Sequence, residues 1–246
     1  GIGPISTWLG RRWARNCLRH AAAITVRDPA SQRLALQLGG ASVEVELAAD
    51  PALLLEPVRT ERVEQVLGRL AADRPIVGVA PRPWQRAERA FAALSEVGRL
   101  AREDWGATVV VLPFQRGEDL RVAQEVAQAI SDAVVVGDAL NAGELLAVVS
   151  RLDLLVGMRL HALIFAASQA VPAVGVSYDP KVASFCELAA QPCVSLTESE
   201  RLPLLVTQCW EQRVERAARG ADIARQLARR AQVSFDMVER LCRGAT

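Results

Sequence analysis

Residues able to move a proton or neutralise an anion near pH 7 are few in this chain and fall close together. It has two histidines, His20 and His161, and one lysine, Lys181; every other basic residue is arginine. The one tyrosine, Tyr178, lies three positions before that lysine. A reaction that needs an imidazole, whose ordinary pKa lies in the physiological range, must use one of the two histidines. In Gly157-Met-Arg-Leu-His161 an apolar run ends in glycine, and Arg159 and His161 enter what patterns as the first turn of a helix. Free backbone N–H groups and the helix dipole make such a turn attractive to an anion. Arg159 would add a fork of donors suited to phosphate or carboxylate, and His161 a hydrogen bond or a proton. The plainer alternative is a histidine bonded within its own loop, with Arg159 paired to Asp153 or Asp179.

These residues need a scaffold, and the middle of the chain supplies its pattern. Short β-rich apolar runs occur at Ile76–Ala80, Thr108–Leu112, Ala133–Val136, Leu152–Val156, Ala173–Ser177 and Cys193–Leu196. Helical patterns lie between and before them, at about Gln85–Glu103, Gly117–Ile130, Gly143–Ser150, His161–Gln169 and Pro180–Ala189, with Glu61–Ala72 as a connecting helix. Near-continuous apolar strands alternating with helices predict a doubly wound parallel sheet with right-handed crossovers. Ligands of such sheets sit beyond the carboxyl ends of the strands. The residues expected there are Pro81-Arg82-Pro83-Trp84, Pro113-Phe114-Gln115, Gly137-Asp138, Gly157–His161 and Tyr178-Asp179-Pro180-Lys181.

Residues 1–57 read differently. A helix at Trp8–Ala22, a strand at Ala23–Val26, a helix at Ser31–Leu38 and a strand at Val43–Leu47 make too little material for an independent domain. They predict part of a second α/β domain, and the opening Gly1-Ile-Gly-Pro, without a methionine, reads as the interior of a longer protein. Asp28 is expected to cap the second helix, with Pro29 in its first position. Arg27, just before it, has no such local duty and is expected to point into a cleft. The expected division is 1–57 as a partial Rossmann-like domain, 58–200 as the doubly wound domain, and 201–246 as helices packing back across both. From Glu198 to Leu241 the pattern is helical, with a break expected near Gly220 and a solvated face of Arg225, Arg229 and Arg230.

Composition excludes several classes. With 246 residues, 51% hydrophobic and 23% charged, the chain is ordinary globular material. A formal net charge of +1 does not suit a dedicated nucleic-acid binder. No apolar run reaches the ~20 residues of a membrane span, and no signal peptide opens the chain. The five cysteines are odd in number and form no CxxC, so reduced core residues are expected rather than a zinc or redox centre. There is no GxGxxG, Walker lysine, GxSxG or metal-ligand spacing.

Gly157-Met-Arg-Leu-His-Ala-Leu-Ile-Phe-Ala-Ala, Val171-Pro and Tyr178-Asp-Pro-Lys-Val together resemble the polysaccharide pyruvyl transferase family, in particular its CsaB type. Ile24-Thr-Val-Arg-Asp, Ala49-Asp-Pro-Ala, Val79-Ala-Pro-Arg-Pro-Trp and Leu112-Pro-Phe-Gln support it. The resemblance implies an α/β, GT-B-like fold of two domains with the active site in the cleft. It also implies transfer of the pyruvyl group of phosphoenolpyruvate to a sugar, as a ketal across two hydroxyls with release of phosphate. Arg27, His161 and Lys181 then correspond to the basic residues assigned to phosphoenolpyruvate binding and catalysis. The glycine-rich motif with a GD pair near the usual start of the family is absent here, in keeping with a chain that begins inside the first domain.

The chemistry fits these residue types. A carboxylate and a phosphate ask for several cations, for which Arg27, Arg82, Arg159 and Lys181 are candidates, with Tyr178 and Asp179 on the same rim. His161 is the group suited to proton transfer. Phosphoenolpyruvate is expected as co-substrate, with no cofactor and no metal, Arg, Lys and a helix N-terminus neutralising the departing phosphate. The family further implies a lipid-linked acceptor for a cell-wall or capsule polysaccharide, peripheral membrane contact and work at the cytoplasmic face. Two other readings share the architecture. One is a GT-B glycosyltransferase using a nucleotide-sugar, whose ribose-gripping carboxylate would be Glu187 or Glu198. The other is a non-catalytic fragment that binds anions.

Overall fold

The computed structural model describes residues 1–41, 43–70 and 73–244. Two compact units are present: Gly1–Leu54 together with Arg225–Thr246, and Leu55–Ala224.

In the first unit, α1 (Trp8–His20) precedes β1 (Thr25–Val26), α2 (Pro29–Gly39) and β2 (Glu46–Leu47). The strands pair in parallel, Thr25 with Glu46 and Val26 with Leu47. Both are shorter than their β-rich runs, although Ile24 and Val26 still accept hydrogen bonds from Glu46 and Ala48. Asp28 caps α2 as expected, accepting from the Ser31 N–H at 2.7 Å with Pro29 in the first turn. Arg15 and Arg19 of α1 donate to the Leu38 and Gly39 carbonyls, which the end of α2 leaves without helical partners. Val26, Ala35, Val43 and Val45 form the small core.

In the second unit come α3 (Glu61–Leu67), β3 (Ile76–Ala80), α4 (Glu88–Glu103), β4 (Thr108–Val111), α5 (Arg116–Gln128) and β5 (Val134–Val135). They are followed by α6 (Ala142–Val149), β6 (Leu154–Gly157), α7 (Leu160–Ser168), β7 (Ala173–Ser177), α8 (Pro180–Leu188) and β8 (Cys193–Ser195). A 3₁₀ turn at Leu196–Arg201, α9 (Leu202–Glu211) and α10 (Arg213–Gly244) end the chain. The last two residues of the helix expected at Glu61–Ala72 lie outside the described residues.

All six strands pair in parallel in the order β5-β4-β3-β6-β7-β8. The expected sheet is therefore present, and its order places the reversal of winding between β3 and β6. The main core lies on the face covered by α4 and α9. Val77, Val79, Val109, Val111, Leu154, Val156, Val174 and Val176 project into it against Leu94, Val97, Leu202 and Val206. Each is at most 1% exposed, as strands buried on both faces require. Glu144 is the buried charge that ties α6 down. It closes a capping box with Asn141 and accepts from Thr60 Oγ1 at 2.8 Å and Arg62 Nη2 at 3.0 Å.

Two expectations are corrected here. α10 runs through Gly220 without a break, because a single glycine weakens a helix by only ~1 kcal/mol relative to alanine and does not end it. The interruption falls instead at Gln212, between α9 and α10. The cysteines are all free, but only Cys186 and Cys209 are core residues; Cys193 is half-buried, and Cys17 and Cys242 are exposed.

Candidate active site

The loops of interest leave three neighbouring strands side by side. Ala80 pairs with Gly157 and Gly157 with Gly175, so β3 and β6 end level and β7 runs two residues further, to Ser177. The Met158 N–H extends the ladder by donating to the Ala80 carbonyl at 2.9 Å. The region beyond these ends, at the reversal of strand order, is where open α/β sheets bind ligands.

From β6 the chain turns directly into α7, with Arg159 as its N-cap residue in an extended conformation and no side-chain cap. His161 follows as the second residue of α7 and is exposed. The imidazole therefore stands in the first turn, where the helix dipole favours negative charge. From β7 the chain turns into α8, capped by Asp179, which accepts from the Lys181 N–H at 3.0 Å with Pro180 in the first turn. Lys181 Nζ lies 3.3 Å from Asp179 Oδ2 and its side chain is 45% exposed. This ion pair sits in the exposed setting where such pairs contribute little and open readily.

The arginines are placed otherwise than expected. Arg159 is turned toward α5, not toward Lys181, and pairs with neither Asp153 nor Asp179. Its Nε donates to Asp119 Oδ2 at 2.9 Å and Oδ1 at 3.1 Å, while Nη2 donates to Asp119 and, at 3.0 Å, to Glu118. Asp119 is fully buried and the Arg159 side chain only 11% exposed. Burial acts to lower the guanidinium pKa, but the bonds to Asp119 and Glu118 outweigh it and hold it above the ordinary value. This group anchors the loop to α5, because two carboxylates engage its Nε and Nη2. Asp153, the partner not used, accepts instead from the Ile76 N–H at 2.8 Å.

Arg82 is also engaged. Its Nη1 donates to the Tyr178 hydroxyl, and its guanidinium lies 4.8 Å from the Tyr178 ring centroid and 5.4 Å from that of Trp84. The two rings are themselves 4.4 Å apart at 46°. Arg82 is the core of a cation–π cluster, with Nη1 engaged and Nε buried without a hydrogen-bond partner. Arg27, in the first unit, does not stand open either: Nη1 donates to the buried Asp50 carboxylate, with 26% of the Arg27 side chain exposed. Both pairings have the same cause. A half-buried guanidinium needs an acceptor or an aromatic face, and the neighbouring loop supplies it.

Sequence reasoning missed Asp119 and Glu118, and placed Trp84 on the rim without a role. The first two look like routine acidic residues in the first turn of α5, where they favour the dipole. Trp84 was visible only as a loop aromatic after β3. Glu198, considered for a ribose, accepts from Ser195 Oγ at 2.7 Å and pairs with Arg201 at 3.3 Å; Glu187 is exposed on α8. Among the described residues no three His, Cys, Asp or Glu side chains gather as metal ligands. None of the described helices is long and apolar enough to cross a membrane.

The fold and the rim site define an α/β protein of GT-B-like type, and solved structures agree. HepE of Anabaena in complex with UDP and glucose is similar with a TM-score of 0.60 at 18% identity, over 96% of this chain and 67% of that one. The trehalose-phosphate synthase of Burkholderia vietnamiensis gives 0.62 at 13%, over 98% and 66%. The UDP-GlcNAc 2-epimerase of Neisseria meningitidis, bound to UDP-GlcNAc, gives 0.63 at 9%, over 96% and 65%. The chain thus spans about two thirds of the length of these structures, and at such identities the likeness concerns the fold. The family model of polysaccharide pyruvyl transferase matches residues 1–180. The chain belongs to the polysaccharide pyruvyl transferase family, a family of transferases that act in polysaccharide biosynthesis. No curated protein matches it.

Proposed function

We propose that this protein transfers the pyruvyl group of phosphoenolpyruvate to a sugar of a cell-surface polysaccharide precursor, forming a pyruvate ketal and releasing phosphate. The observation that carries this reading is the family match running through the loops that hold His161 and the start of α8. One sugar hydroxyl adds to C2 of phosphoenolpyruvate, and its proton ends on C3, making a methyl group. A second hydroxyl then displaces phosphate from C2, and its proton leaves with the phosphate. Both steps need an acid or base near neutrality, and the exposed His161 in the first turn of α7 supplies it. The uncapped N-terminus of α7 and the loosely paired Lys181 offer positive potential to the donor's anions. Arg159 positions the His161 loop through Asp119. Arg27 is assigned to the donor by the family resemblance, with Asp50 holding one end of its guanidinium. Tyr178 and Asp179 hold Arg82 and Lys181 in place.

We further place the acceptor on a lipid carrier at the cytoplasmic face of the membrane, with phosphoenolpyruvate as co-substrate and no separate cofactor. A nucleotide-sugar glycosyltransferase is the second reading, favoured by neighbours solved with UDP or UDP-sugars. One experiment separates the two. The protein is incubated with phosphoenolpyruvate or with a UDP-sugar, each with a panel of sugar acceptors, and inorganic phosphate and UDP are measured. Acceptor-dependent phosphate release from phosphoenolpyruvate is expected; UDP release alone would establish the second reading.

A further inference from the structure

We infer that the indole of Trp84 is the platform on which the acceptor's pyranose ring stacks, a role that rests on the pyruvyl-transfer reading above. Trp84 follows β3 at the reversal of strand order and is 42% exposed. Among the described Phe, Tyr and Trp side chains of 55–224 it is the one that stands exposed; the others are buried or half-buried. An indole left in water on the rim of a ligand crevice is apolar surface that a ligand can cover.

The ring is also held in place before any ligand arrives. Tyr178, from the loop after β7, packs against it with the centroids 4.4 Å apart. Arg82 lies against both rings, 5.4 Å from Trp84 and 4.8 Å from Tyr178, and bonds the tyrosine hydroxyl. Pro81 and Pro83 flank Arg82 and restrict the backbone on both sides. Two loops from strands on either side of β6 are thereby locked together, and the indole has little freedom to lose when a ring settles on it. Arg82 has its Nη1 on the tyrosine hydroxyl and its plane against the two rings, and its Nε is buried without a partner; what this part of the rim exposes is the indole, while Lys181 and the α7 N-terminus present positive charge.

That division of labour suits a sugar better than a second anion. A hexopyranose presents C–H bonds on its faces and hydroxyls around its edge. Laid flat on an aromatic ring, it keeps its edge free, and ketal formation requires two edge hydroxyls to reach the same carbon of the donor. The cluster therefore sets acceptor binding and orientation, while donor binding is left to the cations beyond it.

The test uses the whole chain with Trp84→Leu, which keeps apolar packing against Tyr178, and Trp84→Phe, which keeps an aromatic face. Methyl glycosides of glucose, galactose and their N-acetylamino counterparts serve as probes, followed by saturation-transfer NMR without phosphoenolpyruvate and by phosphate release with it. Circular dichroism checks that each variant is folded. The expected result is transfer to the C–H protons of at least one glycoside with the native protein and with Trp84→Phe, and its loss with Trp84→Leu. In turnover, Trp84→Leu should raise the acceptor KM roughly tenfold, the size expected for losing an aromatic contact, and leave the phosphoenolpyruvate KM unchanged. Native-like glycoside binding by a folded Trp84→Leu, an effect confined to the phosphoenolpyruvate KM, or no glycoside bound by the native protein would each overturn the platform. Tryptophan-dependent glycoside binding without phosphate release would leave the platform standing and remove the pyruvyl-transfer reading instead.

Discussion

Arg159, at the start of α7, grips Asp119 in the first turn of α5 through both Nε and Nη2, with Glu118 on the outer side of the same guanidinium. Asp119 also accepts from the Gln115 N–H at 2.8 Å, so one buried carboxylate closes the N-terminus of α5 and fixes the loop that carries His161. An arginine in the most family-like segment of the chain thus holds the loop through Nε and Nη2.

Removing one partner of this pair leaves a buried charge uncompensated. Asp119→Ala is expected to lower stability by about 3–5 kcal/mol, read from urea or thermal unfolding. Arg159→Lys should recover only part of the native stability, since an ammonium cannot reproduce the forked contact. If Asp119→Ala unfolds at the native midpoint, the anchoring role is wrong.

His161 is exposed, so His161→Ala should fold with nearly native stability. Phosphate release from phosphoenolpyruvate should fall by roughly 10²–10⁴-fold, the range for a lost general acid or base. Undiminished turnover would move proton transfer to another group.

Lys181→Ala breaks an exposed pair with Asp179, and its effect on stability should stay within about 1 kcal/mol. Donor affinity should weaken more than acceptor affinity, because an ammonium recognises phosphate or carboxylate and a neutral sugar gives it little. Equilibrium binding of phosphoenolpyruvate and of glycosides to the variant and the native protein checks this, and an unchanged donor affinity would leave Lys181 a purely structural partner of Asp179.

Glu144 should make the second unit sensitive to acid. The Asn141 N–H, then the Thr60 hydroxyl and the Arg62 charge, hold its carboxyl below the ordinary value against the opposing effect of burial. In the unfolded chain the group returns to its ordinary pKa of about 4.3 and takes up a proton first on acidification. Its contribution is therefore complete above that pH and is lost as pH falls through the lower folded value. Unfolding midpoints recorded from pH 7 to pH 3 should show a steeper fall for the native protein than for Glu144→Gln, which starts less stable. Parallel curves would mean that other carboxylates govern acid unfolding.

The elements themselves were legible along the chain. β3 and β7 occupy their expected spans to the residue, and Asp28 with Pro29 starts α2 as read. The reason is that these features are local. A strand buried on both faces must be apolar throughout, and an N-cap is decided by the three residues after it. The lone lysine, the rim histidine and their places after β6 and β7 follow from the same reading, since strand ends in a parallel sheet are ligand ends. Motif resemblance supplied the family for a similar reason: it sits in contiguous loops.

The tertiary structure decided which charges are open and which are committed. Arg82 and Tyr178 are 96 positions apart, Arg159 and Asp119 are 40 apart, and Arg27 and Asp50 are 23 apart. Nothing in the spacing of any of these pairs marks them as partners. They meet because β3 and β7 flank β6, because β4 and β6 flank β3, and because β1 and β2 end together. A guanidinium beyond a strand end looks the same in sequence whether it faces solvent, a carboxylate or an aromatic ring. Strand order selects among those environments, and burial then compels the pairing, since a desolvated charge must find its acceptor or leave the interior.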